Sequence, residues 1–109
     1  MALRYALLAH TVNGETHFDL MLELNGSETL RTWRLGKRLV SAGATCTAEA
    51  LPPHRSIYLD YEGPISDDRG EVKRVESGTW EGEGSRLTLT PDTGASYALE
   101  IRDGQARRG

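Results

Sequence analysis

The amino-acid sequence predicts an all-β protein: a small closed or nearly closed antiparallel β-barrel with one short helix around residues 53–61. Glycines and turn dipeptides punctuate the chain about every 8 to 12 residues, the spacing of short strands in a small all-β domain. Between them, several segments alternate apolar and polar residues, as strands with one buried face do. Antiparallel strands in this number most simply close into a barrel.

Length and charge fit a single domain of 109 residues, in which we expect residues 103–109 to be a frayed tail. The net charge of −3 excludes a polybasic nucleic-acid coat. A single cysteine, Cys46, excludes an internal disulfide framework and suits a reducing compartment. Since no run of about 18 apolar residues occurs, we expect a protein that does not bind membranes. We also expect it to be cytoplasmic, as the single cysteine suggests, and monomeric.

The first predicted strand covers residues 3–10 and ends in a polar loop, 11–15. Residues 16–24 alternate cleanly, with Phe18, Leu20, Leu22 and Leu24 on the core face and His17, Asp19, Met21 and Glu23 on the other. Asn25-Gly26 then predicts a two-residue hairpin turn and a return strand over 27–35. The pairs set by this turn are Phe18 with Trp33, Asp19 with Thr32 and His17 with Arg34.

The second half of the chain begins with an irregular loop, residues 36–47, rich in Gly, Ala and Thr. Pro52-Pro53 opens the predicted helix, 54–61, because proline suits a first helical turn. An acidic stretch predicts a loop without the spacing of an EF-hand: Glu62, Asp67, Asp68 and Glu71. Three further strands are predicted over residues 71–75, 85–90 and 96–102.

Two side chains of the second strand indicate a metal site. His17 and Asp19 lie on one face about 6.6 Å apart along the strand, and their side chains can converge on one cation. His10 becomes a third ligand if its strand is a neighbour. A solvated polar face, with His10 as a surface histidine, is the alternative interpretation.

Other groups point to phosphate chemistry. His54 and Tyr58 share a face of the predicted helix and could donate to phosphate oxygens, although a core tyrosine beside a capping histidine has the same spacing. The cationic run from Arg31 to Arg38 fits an anion site or an ordinary solvated strand edge.

Several motifs occur in a characteristic order along the chain. They are His17-Phe-Asp-Leu-Met-Leu-Glu23, Leu30-Arg-Thr-Trp33 followed by Lys37, His54-Arg-Ser-Ile-Tyr-Leu-Asp-Tyr-Glu-Gly-Pro-Ile65, Arg69-Gly-x-Val72 and Ser77-Gly-Thr-Trp80. Together they resemble the N-terminal 3′-phosphoesterase domain of the bacterial ATP-dependent DNA ligase D, in its short stand-alone form. The resemblance covers residues 4–80.

The resemblance implies a β-barrel that heals 3′ ends in DNA end joining, removing a 3′-phosphate or a 3′-terminal ribonucleoside. It implies Mn²⁺, or Zn²⁺ or Co²⁺, as cofactor, with His10, His17 and Asp19 as ligands. His54 would contact the scissile phosphate, supported by Tyr58 and Lys37. The implied partners are nucleic-acid 3′ ends, in primer–template DNA or a DNA/RNA hybrid, and a DNA ligase or polymerase.

Two positions depart from the family pattern. Met21 stands where the family has a phosphate-binding arginine, and Pro52 where it has an acidic residue. We hypothesise that Arg34, from the neighbouring strand, replaces the missing arginine. The departures favour a non-catalytic module that binds DNA ends or a polymerase or ligase, whereas the retained His54 and Tyr58 favour an enzyme. A metal-stabilised structural barrel is a third interpretation.

Overall fold

The computed structural model describes residues 2–65 and 69–109. These residues form nine strands: β1 (Leu3–Val12), β2 (Glu15–Glu23), β3 (Thr29–Leu35), β4 (Thr45–Arg55), β5 (Gly63–Pro64), β6 (Glu71–Glu83), β7 (Arg86–Pro91), β8 (Tyr97–Arg102) and β9 (Gln105–Arg108). The strand order is β1-β2-β3-β4-β9-β8-β7-β6-β5, and β1 also pairs with β6. Eight antiparallel strands therefore close a barrel and β5 is an extra strand, which confirms the predicted fold class.

The barrel interior is filled by alternate residues of the strands. The buried residues of this cluster are Tyr5, Leu7, Leu20, Leu22, Leu35, Leu39, Ala48, Leu87, Leu89, Leu99, Ile101 and Ala106. Phe18, Trp33, Cys46 and Trp80 are among the partly buried residues packed against it. The predicted core face of the second strand is confirmed for Phe18, Leu20 and Leu22, whereas Leu24 lies beyond the end of β2 and outside this cluster. The other face of β2 points away from the barrel interior.

The hairpin between β1 and β2 is tighter than predicted. Strand pairing continues to Val12 and Glu15, so only Asn13 and Gly14 form the turn. Both have positive φ, +51° and +81°, as a type I′ turn requires. The predicted loop over residues 11–15 is therefore wrong in extent, and the turn pairs His10 directly with His17.

The register between β2 and β3 differs from the prediction by two residues. Phe18 pairs with Leu35 rather than Trp33, and Asp19 pairs with Arg34 rather than Thr32. The expected pairing of His17 with Arg34 is wrong for the same reason.

The turn at residues 24–27 explains this difference. The Ser27 N–H donates to the carbonyl of Leu24 at 3.2 Å, and only Gly26 has positive φ (+76°), so this is not a type I′ turn. The Ser27 hydroxyl then accepts from the N–H of Thr29, which delays pairing to Thr29 and beyond. A shift of two residues leaves every side chain on its predicted face.

Strand β4 occupies residues that were predicted as loop and helix. It includes Pro52, Pro53 and His54, and the helix is reduced to a 3-10 turn, Ser56–Leu59. The prolines are tolerated because β4 pairs with β9 only through Thr45–Thr47. Beyond Ala48, whose N–H donates to the carbonyl of Gly104, this edge of β4 is not paired with β9, and the β3 side is irregular near Pro52. Within the described residues, no helix is long and apolar enough to cross a membrane.

The remaining differences lengthen the barrel. Strand β6 extends eight residues past the predicted end at Val75. The expected frayed tail is wrong for Gln105–Arg108, which form β9 between β8 and β4 and bury Ala106 completely. Of the predicted acidic loop, Glu62 precedes β5 and Glu71 begins β6, whereas Asp67 and Asp68 lie outside the described residues.

Candidate metal centre

Three side chains of the types that ligate metals meet on the outer face of β1 and β2. His10 and His17 face each other across the hairpin, and Asp19 lies one pleat further along β2. One ligand atom from each lies within 4.8 Å of the other two, so this group could hold a metal ion. His10 Nδ1 and His17 Nε2 are 2.9 Å apart, and each is 3.6 Å from a carboxylate oxygen of Asp19.

Asp19 is the buried member of the group, with 2 % of the residue exposed. A buried carboxylate is costly unless it has charged or hydrogen-bonding partners. Here the Nε of Arg34 donates to Oδ1 at 3.3 Å, and His17 Nε2 and His10 Nδ1 lie 3.6 Å from Oδ1 and Oδ2, respectively. The local charges therefore hold the carboxylate beside both ring nitrogens.

The electrostatic environment favours the neutral form of His17. Burial lowers the pKa of His17 below its usual 6.5, and the charges of Arg34 and His10 lower it further, against the opposing effect of Asp19 and Glu49. A histidine binds a metal through an unprotonated nitrogen. The lowered pKa of His17 therefore keeps this ligand available in neutral solution.

A cleft of about 210 Å³ opens beside two of the three candidate ligands, His10 and Asp19. Its lining residues are His10, Asp19, Met21, Arg34, His54, Tyr58, Ile65, Arg69 and Val72. Since one water occupies about 30 Å³, the cleft has room for a tetrahedral phosphate group. Imidazole, phenol and guanidinium groups thus surround a space next to the candidate ligands.

His54 reaches this cleft from a strand, not from the predicted helix. It pairs with Leu30 at the end of β4, and its ring lies edge-on to that of Tyr58, with centroids 5.9 Å apart. The Nδ1–H of His54 donates to the carbonyl of Pro52 at 3.0 Å. This carbonyl orients the ring and leaves Nε2 as the nitrogen available to a ligand.

Apolar residues close the other side of the cleft. Met21 is 2 % exposed and packs in a second cluster with Ala6, Leu8, Leu30, Leu59 and Val72. The 3-10 turn covers this part of the barrel's outer face. The polar residues of β2 alone would suggest a solvated face, but here the face is partly buried. Met21 is a packing residue here and cannot donate a hydrogen bond to an anion.

The cationic run of the sequence is divided among different environments. Arg34 lines the cleft, Arg31 lies on the ring of Trp33 at 5.1 Å from its centroid, and Arg38 donates to Glu76. Lys37, expected near the phosphate, is exposed in the loop after β3 and does not line the cleft. Arg69 and Val72 also line the cleft, a position not predicted from the sequence. The motif Arg69-Gly-x-Val72 is the sequence feature that could have indicated it.

The fold and this cluster define a small β-barrel with a candidate metal centre on its outer face. Two imidazole nitrogens and a carboxylate oxygen form a donor set that suits Zn²⁺, Mn²⁺ and related divalent ions. Comparison with models of known protein families finds no match for this chain, and comparison with curated proteins finds no significant relative.

Proposed function

We propose that this protein is a divalent-metal-dependent phosphoesterase that acts on the 3′ ends of nucleic acid during end joining or repair. The observation that carries the proposal is the position of His54, Tyr58 and Arg34 around one cleft with His10 and Asp19. Candidate metal ligands and candidate phosphate-binding groups thus line a single space. The motif order described above supports the same chemistry.

The three ligand residues would hold Mn²⁺, or Zn²⁺ or Co²⁺, whose Lewis acidity would act on a phosphoryl oxygen. Arg34 has one N–H on Asp19 and presents the rest of its guanidinium to the cleft, where it would neutralise phosphate charge. A protonated Nε2 of His54 would donate to the leaving oxygen or to the charged transition state. The Tyr58 hydroxyl would be a further donor.

The carbonyl of Pro52 can replace part of what is lost where Pro52 stands in place of the family's acidic residue. An acidic residue at this position could accept a hydrogen bond from His54, and the main-chain carbonyl of Pro52 accepts one from Nδ1 at 3.0 Å. The loss of the acid therefore leaves the His54 ring with an orienting acceptor. The proposed substrate is a primer–template or DNA/RNA 3′ end, and a DNA ligase or polymerase is the proposed protein partner.

The test is phosphate release from a primer–template with a 3′-phosphate, measured with Mn²⁺ and with EDTA. We expect release only with Mn²⁺, and none from His17→Ala. Arg31→Ala is the matched control, because its guanidinium lies against Trp33 away from the cleft. Wild-type protein that binds Mn²⁺ and the DNA end without releasing phosphate or a ribonucleoside would instead be a non-catalytic end-binding module.

A further inference from the structure

The main-chain carbonyl of Arg69 contacts the outer nitrogen of His10. It lies 2.7 Å from Nε2, and a carbonyl can only accept, so the proton of a neutral His10 ring is on Nε2. Nδ1 is then the nitrogen with the lone pair. The backbone at Arg69 thus selects one of the two tautomers of His10.

The selected tautomer presents the lone pair to the candidate metal centre. Nδ1 of His10 lies 2.9 Å from Nε2 of His17 and 3.6 Å from Oδ2 of Asp19. In the opposite tautomer a hydrogen would occupy this direction and exclude a cation. In the metal-free arrangement, the same geometry requires His17 to donate its Nε2–H to His10.

Gly70 allows the carbonyl to approach His10. Its φ is +83°, and a Cβ atom there would lie 2.0 Å from the carbonyl oxygen of Thr11 and 2.9 Å from Cγ2 of Val12. The carbonyl of Gly70 also accepts from the N–H of Ile65 at 2.8 Å. The Arg69–Gly70 corner is therefore packed against β1 next to His10. A side chain at residue 70 would prevent this close packing.

We infer that the Arg69–Gly70 corner is a positioning element for the metal centre, which fixes His10 as a ligand through Nδ1. This inference rests on the metal centre that the proposed function uses. Outer contacts of this kind orient the ligand ring, and their loss commonly lowers metal affinity about 10- to 100-fold.

The test compares Gly70→Ala with Gly78→Ala in the full chain, using Zn²⁺ alone. A Cβ at Gly78 would lie equally close to a backbone carbonyl, 2.0 Å from that of Thr90. Neither Gly78 nor its neighbours Ser77 and Thr79 line the cleft, whereas Arg69, the neighbour of Gly70, does. We expect calorimetry to show about 10- to 100-fold weaker Zn²⁺ binding for Gly70→Ala and less than about threefold for Gly78→Ala. Equal losses in the two variants would overturn the inference.

A spectroscopic measurement on the wild type does not depend on the folding of either variant. At a pH where the imidazoles are neutral, ¹⁵N NMR should find the His10 proton on Nε2 with and without Zn²⁺. His17 should move its proton from Nε2 to Nδ1 when Zn²⁺ binds. A His10 proton on Nδ1 would overturn the inference, whereas inactivity toward 3′-phosphates with these signatures intact would reject only the proposed function.

Discussion

Arg34 lies directly opposite Asp19 on the neighbouring strand, and its Nε donates to Oδ1 of that carboxylate at 3.3 Å. The Arg34 side chain is 36 % exposed and that of Asp19 4 %. The Asp19 carboxylate is thus buried in the barrel wall, while the Arg34 guanidinium reaches the cleft. This arrangement fits the proposed double role of Arg34, which is to hold the candidate metal ligand Asp19 and to bind an anion in the cleft.

We expect Arg34→Ala to slow hydrolysis of a 3′-phosphate primer–template. The loss of transition-state stabilisation should be about 2 to 4 kcal/mol, the usual scale for one catalytic donor. The measurement is kcat/KM with saturating Mn²⁺, compared with Arg31→Ala. Arg31 belongs to the same strand, but its guanidinium lies on Trp33 and should have little effect. A wild-type rate for Arg34→Ala would show that Arg34 does not bind the phosphate group.

Substitution of His54 and of His17 should distinguish a role in catalysis from a role in metal binding. Because His54 lines the cleft but is not in the ligand group, His54→Ala should abolish turnover and leave the Mn²⁺ dissociation constant within severalfold of wild type. His17→Ala should lose both. Calorimetric titration with Mn²⁺ and phosphate release on the same samples check this, and loss of metal by His54→Ala would show that the division of roles is wrong.

The pH dependence of folding should reflect the lowered pKa of His17. The unfolded chain takes up a proton near pH 6.5, but burial delays protonation of the folded protein to lower pH. The stability from neutral His17 is therefore fully present above pH 6.5 and is lost as pH falls from there through the folded pKa.

An NMR titration of His17 in the metal-free protein gives the corresponding midpoint. Since Arg34 is one of the groups that lower this pKa, Arg34→Ala should shift the midpoint upward, toward 6.5. Arg31→Ala should leave it unchanged. A downward shift in Arg34→Ala would contradict the electrostatic arrangement described for the site.

A second ionisable group should affect stability but not metal binding. Tyr5 and Tyr97 both donate to Oε2 of Glu76, at 2.6 and 2.5 Å, and burial together with these bonds raises the pKa of both phenols. Glu76→Ala would leave the hydroxyls of the buried Tyr5 and the partly buried Tyr97 without this acceptor, so we expect a loss of about 3 kcal/mol in the free energy of unfolding. Urea denaturation measures this change.

The exposed Glu81 on the same strand is the matched control, and Glu81→Ala should cost less than about 0.5 kcal/mol. Zn²⁺ affinity should be unchanged in both variants, because neither residue belongs to the ligand group. Equal stability of the two variants would show that the Glu76 contacts contribute no net stabilisation.

Alternation in the sequence was sufficient to predict which residues share a face. The core side of β2, the common face of His17 and Asp19, and the position of Arg34 on that face all follow from the two-residue period of a strand. The barrel class followed from the spacing of strands and turns. These properties are local, so they survive the error in turn type and the register shift of two residues.

Only the tertiary structure decided which residues stand opposite one another. Two Asn-Gly dipeptides have similar local preferences, yet Asn13-Gly14 forms a type I′ turn that joins β1 directly to β2. The turn at Asn25-Gly26 is of another type, and β3 begins only at Thr29. Likewise, Pro52 fits a helix start or a strand edge, and the short pairing between β4 and β9 provides the edge. The approach of Arg69 to His10 joins residues 59 positions apart. Such long-range contacts depend on how strands close around a shared core, which no local pattern in the sequence specifies.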